Sequence, residues 1–205
     1  SNYRIAGGSD RHYFAFEELL ERRGHEVVPF AAAHPENRPT EWSGYFPPGV
    51  DPDLPSPSDL PRFLYSARAR EAISRLLSDH PPDVAHLHVY SSQLSASILE
   101  PLRRAGVPVV QTLHDFKLAC PVRTFVSRGS VCEACGGDDF WRALPRRCAR
   151  GSAARTTLNV AESYVSRWLG DTETVDHCVA VSNFLRKTML EHELVEQSRI
   201  STIPN

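Results

Sequence analysis

A histidine followed by an aspartate, His114-Asp115, stands at the end of a short apolar, β-branched run, PVVQTL, over residues 108–113. Such a run reads as a buried strand of a parallel sheet. In open α/β sheets ligands sit outside the carboxyl ends of the strands, so this spacing places the pair at a ligand crevice. A neutral imidazole there can donate a hydrogen bond to a hydroxyl or accept one near neutral pH. Two other residue sets could carry chemistry. Gly7 and Gly8 precede a helix start, where free backbone N–H groups and the helix dipole attract an anion; the same pair could equally make a plain turn. Cys120, Cys132, Cys135 and Cys148 fall within 29 residues around a C-x-x-C knuckle followed by Gly136-Gly137.

Four thiolates at this spacing can close a tetrahedral zinc site, and six nearby arginines (123, 128, 142, 146, 147 and 150) favour the thiolate form. The alternatives are a pair of disulfides, a redox C-x-x-C or buried thiols. The redox reading is the weakest, because this knuckle does not open a helix after a strand. A tetrathiolate leaves no open coordination position, so no catalytic metal is expected. The fifth cysteine, Cys178, lies mid-strand and reads as an inert core residue. His86 and His88 alternate on one strand and so share a face; His86 reads as a core histidine and His88, nearer the carboxyl end, as a crevice residue.

These residues need a scaffold, and the chain of 205 residues is long enough for one well-filled α/β domain over 1–205. Helical spacing is expected after Gly7-Gly8 up to Gly24, over 58–79, over 92–104 with Gly106 as its stop, over 153–169, and over 184–191. The helix at 153–169 should bury Leu158, Ala161, Tyr164, Val165, Trp168 and Leu169. Strands are expected at 26–33, 84–89, 108–113, 175–181 and 199–203. Their alternation with helices argues for a Rossmann-like, doubly wound parallel sheet. The strand that should precede the glycine pair is missing, and Pro29 demotes 26–33 towards an edge. Residues 34–61 form a proline-rich loop, with Trp42, Tyr45 and Phe46 packing it to the body. Residues 117–152 form the cysteine-rich insertion.

Composition narrows the function classes. A formal charge of -2 with 23% charged residues is that of an ordinary globular protein, without the basic excess a nucleic-acid binder carries. No apolar run approaches the ~20 residues of a membrane-spanning helix, and no signal peptide is visible. The clustered cysteines point to a reducing cytoplasm, with at most a peripheral membrane contact. A nicotinamide or flavin enzyme would need G-x-G-x-x-G and an acidic residue at the end of the second strand; AGGSDR and Phe30-Ala31-Ala32 supply neither.

Taken in order, GGSDRHYFAFEELLERRGHEV, PPDVAHLHVYSS, GVPVVQTLHDFKLACP, VDHCVAVSNFLRKTM and ISTIPN resemble the N-terminal domain of family 4 glycosyltransferases of the GT-B fold. The cysteine insertion resembles one carried by a subset of that family. The resemblance implies the acceptor-side half of a two-domain enzyme that transfers a sugar, with retention and without a metal, from a UDP- or GDP-sugar to a glycan, lipid or small-molecule acceptor. It implies that Gly7 and Gly8 approach the donor diphosphate, that His114 contacts the donor sugar, that Asp115 orients His114 or the acceptor, and that Ser182 faces the cleft. It also implies a C-terminal donor-binding domain beyond Asn205, without which these residues are expected not to turn over. The competing readings are a non-catalytic zinc-knuckle binding module and a partner for a separately encoded donor-binding half.

Overall fold

A computed structural model describes residues 2–51 and 55–204; Ser1, Asn205 and part of the proline-rich loop lie outside the described residues. The chain divides into two compact units, Ser1–Val107 and Pro108–Asn205. The architecture is α/β, as the alternation of elements predicts.

In the first unit, α1 (Gly8–Arg22) begins where Gly7 is extended and Asp10 accepts the Gly7 amide at 2.8 Å. It buries Phe14 and Glu17 and stops at Gly24, whose φ of 86° needs a residue without Cβ. The expected strand at 26–33 does not form a ladder. Among the described residues it makes only single parallel bridges, Asn2 to Ala32 and Ala33 to Pro48, and Pro29 has no N–H to offer. The proline-rich loop contains a 3-10 turn, Glu41–Tyr45, capped by Thr40. Trp42 and Tyr45 pack their rings against His80 at 4.7 and 6.0 Å, and the Tyr45 hydroxyl donates to Asp79 at 2.7 Å. Packing therefore accounts for both aromatics.

The single helix expected over 58–79 is two, α2 (Leu60–Leu64) and α3 (Ala67–Asp79). Ser66 breaks the run because its hydroxyl caps α3 by accepting from the Ala69 amide. The same serine is tied to a buried serine group: its amide donates to Ser95 Oγ, and its carbonyl accepts from Ser97 Oγ at 2.8 Å. The short β1 (Ala85–Leu87) leads to a 3-10 turn, Ala96–Ile98, and α4 (Leu99–Ala105), closed by Gly106 in the left-handed region. Ser92 and Ser95, both at positive φ, delay this helix beyond its expected start.

The second unit carries β2 (Val109–Leu113), β5 (His177–Ala180) and β6 (Ile200–Thr202) side by side and parallel. Between β2 and β5 come a two-residue hairpin, β3 (Val126–Ser127) and β4 (Ser130–Val131), a 3-10 turn at Phe140–Ala143, and α5 (Ala153–Trp168). α6 (Asn183–Glu191) joins β5 to β6. The hairpin turn, Arg128-Gly129, has both φ values positive, the geometry that matches the strand twist.

α5 corrects the sequence reading. Its buried residues are Thr156, Val160, Glu162, Ser163 and Ser166, while Trp168 is 84% exposed and Tyr164 also faces solvent. Leu158, Ala161, Val165 and Leu169 are only half-buried, and the fully buried positions lie on the other side of the helix, where a lysine from the loop after β2 pairs with Glu162.

Candidate functional site

Val109, Gln111, Thr112 and Leu113 of β2 are buried, and the chain leaves the sheet at half-buried His114. The neighbouring strand β5 pairs Leu113 with Ala180, so His114 and Ser182 leave the sheet at the same carboxyl edge. These two sequence-predicted residues are thus brought together by adjacent parallel strands. Ser182 caps α6, its Oγ accepting the Leu185 amide at 3.1 Å. A hydroxyl has a donor as well as two acceptor sites, so capping leaves it chemistry to offer.

Asp115 holds the turn. Its Oδ1 accepts the Lys117 amide at 2.8 Å, and its Oδ2 lies 3.2 Å from the Arg123 guanidinium. The carboxylate is fixed in an Asx-type turn, so its support of the site acts through the loop. The loop folds back on itself: Phe116 donates its amide to the Arg123 carbonyl, stacks on Phe125 at 4.7 Å and meets the edge of exposed Phe184 at 5.9 Å.

Beneath this turn, the Lys117 ammonium pairs with Glu162, which is 0% exposed, and donates to Ser163 Oγ at 2.8 Å and to the Pro121 carbonyl at 3.4 Å. Ser166 Oγ donates to the same Glu162 carboxylate at 3.2 Å. Arg167, on the next turn, reaches Asp171 at 3.0 Å, Asp138 at 2.5 Å and the Leu118 carbonyl at 2.9 Å. Burial pushes Asp171 up to about 6 despite that guanidinium. One face of α5 therefore clamps the loop that follows the His-Asp pair. Sequence reasoning missed Lys117 and Glu162. The signal was present: Thr156, Ser163 and Ser166 with Glu162 form a second, polar stripe at helical spacing.

Gly7, Gly8 and His88 lie in the first unit. The Ala6 and Gly7 amides both donate to Asp10 Oδ2, at 3.0 and 2.8 Å, so the helix start carries its own carboxylate. A Cβ on Gly8 would meet nothing within 4 Å, and on Gly7 only Asp10 Oδ2 at 3.9 Å. Packing within the unit thus does not require either glycine. His88 packs edge-on to Tyr13 at 5.3 Å and 5.9 Å from His12, both on α1. His86 is half-buried, stacked on His88 at 4.6 Å and edge-on to Phe16.

All five cysteines are free thiols. Cys178 is buried in β5, and burial raises its thiol to about 11, as an inert core residue requires. Cys135 is raised to about 11 by burial and then by the nearby Cys120, Cys148 and Cys132 thiols, so the four lie within electrostatic reach. Among the described residues no group of three or more His, Cys, Asp or Glu is arranged to hold a metal ion. Cys135 packs with Phe140, Ala143 and Val160, and Cys148 Sγ lies 3.7 Å from Ser127 Oγ. The His192 ring lies directly over Gly136, where any Cβ would collide with it. Of eight non-glycine residues at positive φ among the described residues, five (Arg123, Phe125, Arg128, Arg147 and Arg150) fall in or beside this segment.

A family model described as Glycosyltransferase Family 4 matches residues 6–205. No curated protein matches the chain at a significant level. Among the described residues no helix is long and apolar enough to cross a membrane.

Proposed function

The chain belongs to glycosyltransferase family 4, and on that footing we propose that it forms the acceptor-side half of a retaining enzyme using a nucleotide-sugar, UDP- or GDP-linked. The observation that carries this reading is the shared edge of β2 and β5, from which His114 and Ser182 emerge together above a loop clamped by α5. His114 offers its imidazole to the sugar hydroxyls beside the reacting carbon. Ser182 supplies a second hydroxyl at the same edge. Asp115 and Lys117 keep the turn that carries His114 in place, as a site held to catalytic tolerance requires. Gly7 and Gly8 let backbone approach the diphosphate leaving group, where amides offset developing charge. The acceptor is a glycan, lipid or small molecule, and the donor is held by a second domain.

The test uses the full-length enzyme and measures UDP or GDP release from the nucleotide-sugar. His114→Ala is expected to lower kcat by at least about 100-fold, the scale of one lost positioned group, with the fold intact. Activity near wild type would remove His114 from the site. Retention is checked by the anomeric configuration of the first product formed, read by proton NMR.

The four-cysteine segment is proposed to close around a structural zinc. Four thiols around a C-x-x-C knuckle are a donor set that fits tetrahedral zinc. Because the thiols are not pre-arranged, metal binding must draw them together. Metal analysis of protein purified under reducing conditions should give one zinc per chain, lost on Cys132→Ser. Four thiols reacting freely with no metal present would exclude it.

A further inference from the structure

One stretch of the second unit concentrates charge of a single sign. From Phe140 to Trp168 the chain holds six arginines (142, 146, 147, 150, 155 and 167) and a single acid, Glu162, which is fully buried against Lys117. Asp138 and Asp139, just before this stretch, pair with Arg167 and Arg142. Arginines 142, 146, 147 and 150 are exposed, and so is Arg128 in the turn of the β3–β4 hairpin. The whole chain has a formal charge of -2, so the excess is local.

Large apolar side chains stand in solvent among these arginines. Trp141 is 54% and Trp168 84% exposed, and Leu144 and Tyr164 are exposed as well. The Tyr164 hydroxyl accepts the Trp141 amide at 3.2 Å, Trp168 follows Tyr164 one turn along α5, and the Arg142 guanidinium lies 5.6 Å from the centre of the Trp141 ring. The hairpin adds Val126 and Val131, directly opposite one another and both exposed. Ser127 Oγ, between Val126 and Arg128, lies 3.7 Å from Cys148 Sγ and so holds the hairpin beside the arginine run. Single exposed apolar side chains are ordinary, but six on one insertion and the helix after it mark a contact surface.

We infer that this surface docks the protein on a lipid bilayer rich in anionic headgroups. Tryptophan and tyrosine combine an apolar ring with a polar edge and settle at headgroup depth, while valine and leucine reach the acyl boundary. Arginines are drawn to the negative surface and lay their stems along apolar groups. The apolar side chains sit on three separate elements, the hairpin, the 3-10 turn at Phe140–Ala143 with the residue after it, and α5, with arginines between them in the chain. A bilayer admits such separate protrusions, whereas a folded protein partner needs a continuous, closely fitting face. The surface uses neither His114 nor Ser182, so the inference stands apart from the transferase reading.

Co-sedimentation of the full chain with vesicles tests it, using either pure phosphatidylcholine or phosphatidylcholine with about 30% phosphatidylglycerol. At low salt the anionic vesicles should bind at least about 10-fold more tightly, an advantage that screening removes at high salt. Arg146→Gln with Arg147→Gln should weaken that binding at least about 10-fold, while Arg22→Gln with Arg23→Gln, the same charge change in the first unit, should alter it less than about twofold. Brominated lipid should quench the tryptophan fluorescence of the parent. Trp141→Ser with Trp168→Ser, which leaves Trp42 as the one tryptophan, should abolish the quenching and most of the binding. All the substituted side chains are exposed, so the variants should keep the parent's Tm. Equal binding to the two vesicles, binding to neither, or an equal loss in the Arg22 and Arg23 control overturns the inference. Binding to soluble polyglutamate without quenching by brominated lipid assigns the surface to an acidic protein and overturns it. A dimer that Trp168→Ser breaks, with no vesicle binding, assigns it to a second copy and overturns it equally.

Discussion

Replacing Lys117 by Met would leave the fully buried Glu162 carboxyl without its cation and with only Ser166 Oγ still donating to it. The methionine matches the lysine stem in length, so the change removes charge with little loss of packing. Breaking a buried ion pair by removing one partner costs about 3–5 kcal/mol, and the orphaned Ser163 and Pro121 oxygens add to that. Against a total stability of about 5–15 kcal/mol this is a large fraction. For a chain of this size, about 4 kcal/mol corresponds to a Tm lower by roughly 8–16 °C. The double variant Lys117→Met, Glu162→Met removes both charges, and should lie within about 1 kcal/mol of the parent, because paired replacement by apolar groups is close to neutral. Urea unfolding of the parent, both single variants and the double variant gives the coupling directly. A loss below about 1 kcal/mol in Lys117→Met, or a double variant as unstable as the worse single one, would refute the assignment of this pair as the clamp beneath the His114 turn.

Three further outcomes follow from named contacts. Asp171 is raised by burial to about 6, so its contribution to stability is present at acid pH and is lost as pH rises through that value. In thermal melts between about pH 4 and pH 7, Asp171→Asn should therefore gain on the parent by about 2–3 kcal/mol with rising pH; a pH-independent difference would contradict the raised carboxyl. Gly8→Ala has open space for its methyl group and should leave the Tm unchanged or slightly higher, while in the full-length enzyme the KM for the nucleotide-sugar rises; unchanged kinetics would sever the loop from the diphosphate. Gly136→Ala drives a methyl group into the His192 ring and should cost about 1–3 kcal/mol, largely recovered when His192→Ala is added; additivity of the two would mean the ring moves aside freely.

The local code of this chain was legible wherever one residue sets a backbone state. Gly106, the Ser182 cap and the β-branched run of β2 act within a few positions of themselves, so the helix ends and the strand before His114 could be read directly. The family resemblance rested on the same local motifs, and the family match over residues 6–205 agrees with it.

What the tertiary structure decided were the pairings across long stretches of chain. Residues 26–33 have strand composition, yet a strand exists only with a neighbour, and among the described residues 27–30 pair with none. The apolar stripe of α5 was clear, but Lys117, 45 residues before Glu162, turned the polar stripe inward and left Trp168 in solvent. The sequence by itself determined the class of fold and the residues able to do chemistry at the end of β2. Only the folded chain decided that Asp115 is occupied by its own turn and that a buried ion pair holds that turn in place, because the energy of a buried charge depends on a partner that sequence spacing does not specify.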